Sequence, residues 1–74
     1  MNCNDRLYSL RKENNLSQSQ LAATLGIAQT VYSRYERGAN ELPIRHLLKL
    51  CSLYQVSSDY ILGLTDKRKE NGSV

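Results

Sequence analysis

Residues 16–38, LSQSQLAATLGIAQTVYSRYERG, decide the fold of this chain. The stretch contains two short segments with helical spacing, and Gly26 stands between them. Ser17 and Gln20 have the spacing of a capping box, in which each side chain bonds to the other residue's backbone at a helix start. Glycine adopts positive φ angles without strain, so we expect Gly26 to end the first helix and to turn the chain. The stretch therefore predicts a helix, a tight turn and a second helix that starts near Gln29.

The second helix of this pair has two chemically different sides. Its apolar side carries Tyr32 and Tyr35, and its other side carries groups that hydrogen-bond to base edges and phosphates: Gln29, Thr30, Ser33, Arg34 and Arg37. This arrangement is typical of the helix-turn-helix, in which the second helix enters the major groove of DNA. Outside such a helical pair, the same residues would more simply be a solvated helix face. The interpretation as a DNA-reading helix therefore depends on the spacing of the two helices.

Size and composition set limits on what the chain does. Its 74 residues allow one domain, and an apolar content of 41% is enough for a small core. The net charge of +3 fits a polyanionic partner without identifying it. No apolar run is long enough to span a bilayer, and the N-terminus lacks a signal-peptide core, so we expect a cytoplasmic protein without membrane contact. Cys3 and Cys51 are expected to be reduced thiols.

Three further helices are predicted, and no segment alternates as a strand would. They cover about residues 4–14, 43–54 and 58–62, which makes the fold class all-α with five short helices. In the fourth helix the repeating apolar residues are Ile44, Leu47, Leu48, Cys51 and Tyr54. Residues 65–74 show no apolar period, so we expect a domain over residues 1–66 and a polar, flexible tail over residues 67–74.

The joint spacing of these residues resembles the Cro/CI-type (XRE) helix-turn-helix family. The likeness runs from about Leu7 to Asp66 and includes Leu16-Ser17-Gln18, Leu25-Gly26-Ile27, Tyr32 to Gly38, Glu41 to Ile44 and Asp59 to Asp66. It implies a compact, five-helix, lambda-repressor-like domain that binds double-stranded operator DNA, usually as a homodimer, to control transcription. A repressor acting on an inverted repeat is the expected form.

The resemblance also implies roles for single residues. Base reading falls to Gln29, Thr30, Ser33 and Arg34, and phosphate contacts fall to Gln18, Arg37 and Asn40. Gln18 is also expected to brace Gln29. Arg11 and Glu36 stand where relatives form a partly buried ion pair that fixes the angle of the recognition helix. Ala28 departs from the family, where serine or threonine is frequent at the start of that helix.

A protein-binding function competes with simple DNA reading. Some relatives are antitoxins or restriction-system controller proteins, which bind a protein partner as well as DNA. An apolar surface of Leu53, Tyr60, Leu62 and Leu64 would suit either such a partner or a second copy of the chain.

Catalysis is disfavoured. The chain has one histidine, no evident nucleophile–base pair and no glycine-rich phosphate loop. No metal-ligand spacing occurs, so we expect neither a metal nor a cofactor. The histidine, His46, is expected to be exposed, and the tyrosines are expected in the core or at an interface.

Overall fold

The computed structural model describes residues 2–69. These residues form five helices and no strand: α1 (Cys3–Glu13), α2 (Gln18–Leu25), α3 (Gln29–Arg37), α4 (Ile44–Tyr54) and α5 (Ser58–Leu62). The predicted all-α class and helix order are confirmed. Helix α1 starts one residue early because the Asn2 side chain accepts a hydrogen bond from the backbone N–H of Asp5 and so caps it.

The turn between α2 and α3 forms as its sequence predicts. The backbone N–H of Gln20 donates to Oγ of Ser17 at 3.0 Å, and the N–H of Ser17 donates to Oε1 of Gln20 at 2.7 Å. Gly26 has a φ of +71°, which is the left-handed conformation that stops α2. Helix α3 follows Ala28 without a side-chain cap. Helix α2 therefore ends sharply at this turn, and α3 packs against α2.

The core lies where the five helices meet. Tyr32 and Tyr35 face inward from α3, with ring centroids 6.3 Å apart in an edge-to-face arrangement. The other buried apolar side chains are Leu7, Leu10, Leu21, Ala22, Leu25, Leu47, Leu50, Cys51, Val56, Tyr60 and Ile61. Because α1 packs against both α3 and α5, it connects the two ends of the domain.

Helix α4 buries only part of the apolar set that repeats in its sequence. Leu47 and Cys51 of that set are buried, whereas Ile44 and Leu48 are 74% and 59% exposed. Leu47 and Leu50 point inward, and His46 is only 5% exposed, so the expectation of an exposed histidine is wrong. The imidazole packs against the Tyr35 ring, with centroids 6.1 Å apart. His46, rather than Ile44, therefore lies against the core.

Two arginines fasten the segment after α5. Arg6 lies over the Tyr60 ring at 4.0 Å and donates to Oδ1 of Asp66 at 2.7 Å. Arg68 donates to both carboxylate oxygens of Glu13, at 2.5 and 2.7 Å. Residues 65–68 therefore lie against α1. The domain boundary at residue 66 and the flexible tail stay predictions, and residues 70–74 lie outside the described part.

Candidate DNA interface

The outer face of α3 and the first residue of α2 line one shallow groove. Its lining residues are Gln18, Gln29, Thr30, Ser33, Arg34 and Arg37. Burial of Tyr32 and Tyr35 on the opposite side of α3 turns these polar side chains outward. The fold thus brings together all four residues that were assigned to base reading and two of the three that were assigned to phosphates.

Asn40 is not part of this groove. It is exposed in the loop after α3, where its backbone N–H donates to the carbonyl of Arg34 at 3.3 Å. The loop starts at Gly38, whose φ of +76° ends α3. A Cβ at position 38 would come close to the end of the Asn4 side chain, which can move aside, so the positive φ is what favours glycine there.

A buried ion pair connects α1 to α3. Nε of Arg11 lies 2.7 Å from Oε2 of Glu36, and Nη2 of Arg11 lies 3.1 Å from Oε1. Arg11 also donates to the carbonyl of Leu16 at 2.9 Å, and Gln18 donates to Oε1 of Glu36 at 3.2 Å. The structure therefore joins α1, α2 and α3 through one hydrogen-bonded cluster beside the groove.

The cluster holds its charges at neutral pH. Burial acts to raise the pKa of Glu36, but hydrogen bonds from Arg11 and Gln18 outweigh it and leave that pKa below its ordinary value. Burial and the negative charge of Glu36 raise the pKa of Tyr54 to about 12. Glu36 is therefore ionised and Tyr54 is neutral in the folded protein.

Gln18 and Gln29 do not bond to each other, although the resemblance led us to expect it. The Gln18 carboxamide is engaged by Glu36, while Oε1 of Gln29 accepts a hydrogen bond from Oγ of Ser19 at 2.9 Å. Sequence reasoning missed Ser19. No signal in the sequence could have identified it, because the bond depends on how α2 and α3 pack against each other.

The apolar patch assigned to a partner is smaller than expected. Leu53, Leu62 and Leu64 are 44%, 41% and 74% exposed. Tyr60 is buried, because the guanidinium groups of Arg6 and Arg68 lie 4.0 and 5.3 Å from its ring centroid. Including Tyr60 in an exposed surface was therefore wrong.

Metal clusters, membrane spans and thiols were the remaining features that the sequence raised. Within residues 2–69, no three His, Cys, Asp or Glu side chains come together as a metal site would require. Over the same range, no helix has both the length and the apolar character needed to cross a membrane. Cys3 and Cys51 are free thiols, and burial raises the pKa of each.

Comparison with known families agrees with this geometry. A family model described as helix-turn-helix matches residues 7–61, which include α2, the turn and α3. The chain belongs to the Cro/CI-type (XRE) helix-turn-helix family.

Curated XRE-type relatives are transcriptional regulators. YobD of Bacillus subtilis strain 168, an uncharacterized HTH-type transcriptional regulator, is 49% identical over 61 residues, which are 82% of this chain and 54% of YobD. The regulator ImmR of the same strain is 37% identical over 71 residues, or 96% of this chain and 56% of ImmR. The cryptic phage CTXphi transcriptional repressor RstR of Vibrio cholerae is 33% identical over 72 residues, or 95% of this chain and 64% of RstR. The chain thus spans 54–64% of the length of these relatives.

Two crystal structures share the XRE-type fold. A transcriptional regulator from Listeria innocua superposes with a TM-score of 0.80 at 26% identity, covering 82% of this chain and 57% of that one. The P22 c2 repressor, crystallised with a synthetic operator, superposes with a TM-score of 0.76 at 29% identity, covering 84% of this chain and 94% of that one. The expected lambda-repressor-like, five-helix architecture is confirmed.

Proposed function

We propose that this chain binds double-stranded DNA through α3 and regulates transcription, most simply as a repressor. One observation carries the proposal: the groove on α3 gathers Gln29, Thr30, Ser33 and Arg34 on a helix that the core and Glu36 hold in a fixed direction. The superposition with the operator-bound P22 c2 repressor supports it. So does the description of RstR as a transcriptional repressor.

Each side chain of the groove matches a base edge. Gln29 suits adenine through a donor–acceptor pair, and Arg34 suits O6 and N7 of guanine. The methyl group of Thr30 suits the methyl group of thymine. The Ser33 hydroxyl can donate a hydrogen bond to a base edge or accept one from it. A good bidentate pair contributes about 1–3 kcal/mol of discrimination between bases.

The residues around the groove suit the phosphate backbone. Arg37 is exposed in the last turn of α3. Gln18 donates a hydrogen bond from one of its two amide N–H groups to Glu36, and its second N–H group would donate to an oxygen of the DNA backbone. Asn40, in the following loop and outside the groove, is the third contact of this proposal. These contacts would set affinity and register without reading sequence.

A homodimer on an inverted repeat follows from the same proposal. Two copies related by a two-fold axis would place their α3 helices in successive major grooves, about one helical turn apart. Leu53, Leu62 and Leu64 are the exposed apolar residues offered for that contact. The same three residues suit the alternative, an antitoxin or controller protein with a separate protein partner. Co-purification of a toxin encoded beside this chain would favour that alternative.

Selection of bound duplexes from a random pool tests DNA reading directly. We expect one short, two-fold symmetric sequence to be enriched. Gln29→Ala and Arg34→Ala should each relax base preference at one position of a half-site. Arg45→Ala is the matched control, because Arg45 is exposed on α4 and lies outside the groove. Unchanged affinity and preference in both groove variants would contradict the proposal.

A further inference from the structure

Ser19 and Gln29 form a hydrogen bond across the rim of the groove. The Ser19 hydroxyl lies 2.9 Å from Oε1 of Gln29, which is the first residue of α3. Among residues 2–69, the other three proposed base readers, Thr30, Ser33 and Arg34, have no comparable side-chain partner. Gln29 is therefore the base reader whose orientation the protein itself sets before DNA arrives.

In this bond the Ser19 hydroxyl donates and Oε1 of Gln29 accepts. An exposed glutamine rotates freely and offers its oxygen and its NH2 group with equal ease. A donor hydroxyl at one lone pair of Oε1 leaves the second lone pair and both N–H bonds of Nε2 unused. Adenine requires that set, because its N6 amino group donates and its N7 accepts.

The geometry points to Ser19 as a positioning residue that holds Gln29 in the orientation that reads adenine. This inference rests on the proposed function and names one determinant of its specificity. Gln18 does not perform this task, since its carboxamide is bonded to Glu36. Holding Gln29 in advance reduces the rotational freedom that is lost on binding, and so favours the matching base.

A double-mutant cycle on two duplexes tests the inference. The duplexes are the selected operator and a copy that differs only at the base pair read by Gln29. Ser19→Ala should lower discrimination between them about three- to tenfold, the usual effect of one hydrogen bond. Ser19→Thr keeps the hydroxyl and should retain discrimination. In a Gln29→Ala background, Ser19→Ala should have no further effect.

Thr24→Ala is the matched control. It also removes a hydroxyl from α2, but that hydroxyl bonds only to the carbonyl of Gln20 in its own helix. We expect Ser19→Ala and Thr24→Ala to have similar melting temperatures, but only Ser19→Ala to discriminate less between the two duplexes. That result would show that Ser19 acts on the orientation of Gln29 and not on the stability of the protein.

Four outcomes would overturn the inference. Ser19→Ala could lower the affinity for both duplexes by the same factor. Its effect could also persist in full in the Gln29→Ala background. Either result would make Ser19 an independent DNA contact. A shifted preference in Gln29→Ala but none in Ser19→Ala would refute the inference and leave the proposed function intact. If the wild-type chain selects no duplex at all, the proposed function fails and this inference fails with it.

Discussion

Arg11 on α1 and Glu36 on α3 form a two-point ion pair, with distances of 2.7 Å (Nε to Oε2) and 3.1 Å (Nη2 to Oε1). Their side chains are only 11% and 5% exposed. Removing two charges from water offsets much of their attraction, so such a pair adds little net stability but is costly to break. Its main effect here is to fix the direction in which α3 leaves the core.

Breaking the pair should therefore destabilise the protein strongly. Glu36→Ala leaves the buried Arg11 charge without its partner, and we expect the free energy of unfolding to fall by about 3–5 kcal/mol in urea titrations. Glu13→Ala is the control, because its ion pair with Arg68 is half exposed and screened by water, so its loss should lower the free energy of unfolding far less. Equal losses in the two variants would refute a special role for the buried pair.

Arg37 should act on affinity alone. Its exposed guanidinium at the end of α3 suits a phosphate, so Arg37→Ala should weaken binding to every duplex by a similar factor. The slope of log affinity against log salt should become shallower by about one. Titrations at several salt concentrations measure both effects, and a new base preference would argue against a phosphate contact.

His46 should make stability depend on pH in mildly acid solution. Burial, aided by the charges of Arg45 and Lys49, lowers the pKa of His46 below its ordinary 6.5, and the side chain facing it from α3 is the Tyr35 ring. Below about pH 6.5, His46 therefore binds more protons in the unfolded chain than in the folded one. The free energy of unfolding should accordingly fall as the pH drops. The pKa of Glu36 is also lowered, but its effect starts only below about 4.5.

The variant His46→Gln isolates this effect. Denaturation between about pH 5 and 7 should give a clear slope for the wild-type chain and a much flatter one for the variant. The same slope in both proteins would assign the pH dependence to another group.

A charged substitution at Leu62 tests the proposed dimer. A carboxylate placed at this residue, which is 41% exposed at the end of α5, would face its symmetry-related copy near a two-fold axis. We expect Leu62→Asp to weaken self-association at least about tenfold, since like charges across an interface cost several kcal/mol. Sedimentation equilibrium measures the change, and Leu48→Asp on α4 is the exposed control. A loss in the control alone would move the interface to α4.

The local parts of this fold were predictable from the sequence. The capping box at Ser17 and Gln20 and the positive φ of Gly26 depend on residues within a few positions of each other. They define the turn, and the apolar positions of Tyr32 and Tyr35 define which side of α3 faces inward. The groove residues on α3 follow from these two local features.

Features that depend on distant residues were not predictable in the same way. The apolar pattern of α4 does not show that His46 is buried against the Tyr35 ring or that Ile44 is exposed. The bond between Arg6 and Asp66 joins residues 60 positions apart and leaves no periodic signal. The Ser19–Gln29 bond needs the angle between α2 and α3, which the sequence does not specify.

The clasp that Arg6 and Asp66 form also bears on the order of folding. Their bond closes a loop of 60 residues, whereas the Ser19–Gln29 bond closes one of 10, and the longer closure costs about 1.5 kcal/mol more in chain entropy. The α2–α3 unit should accordingly consolidate early, with the clasp forming after the rate-limiting step. Stopped-flow kinetics of Asp66→Ala should then show faster unfolding at an unaltered refolding rate.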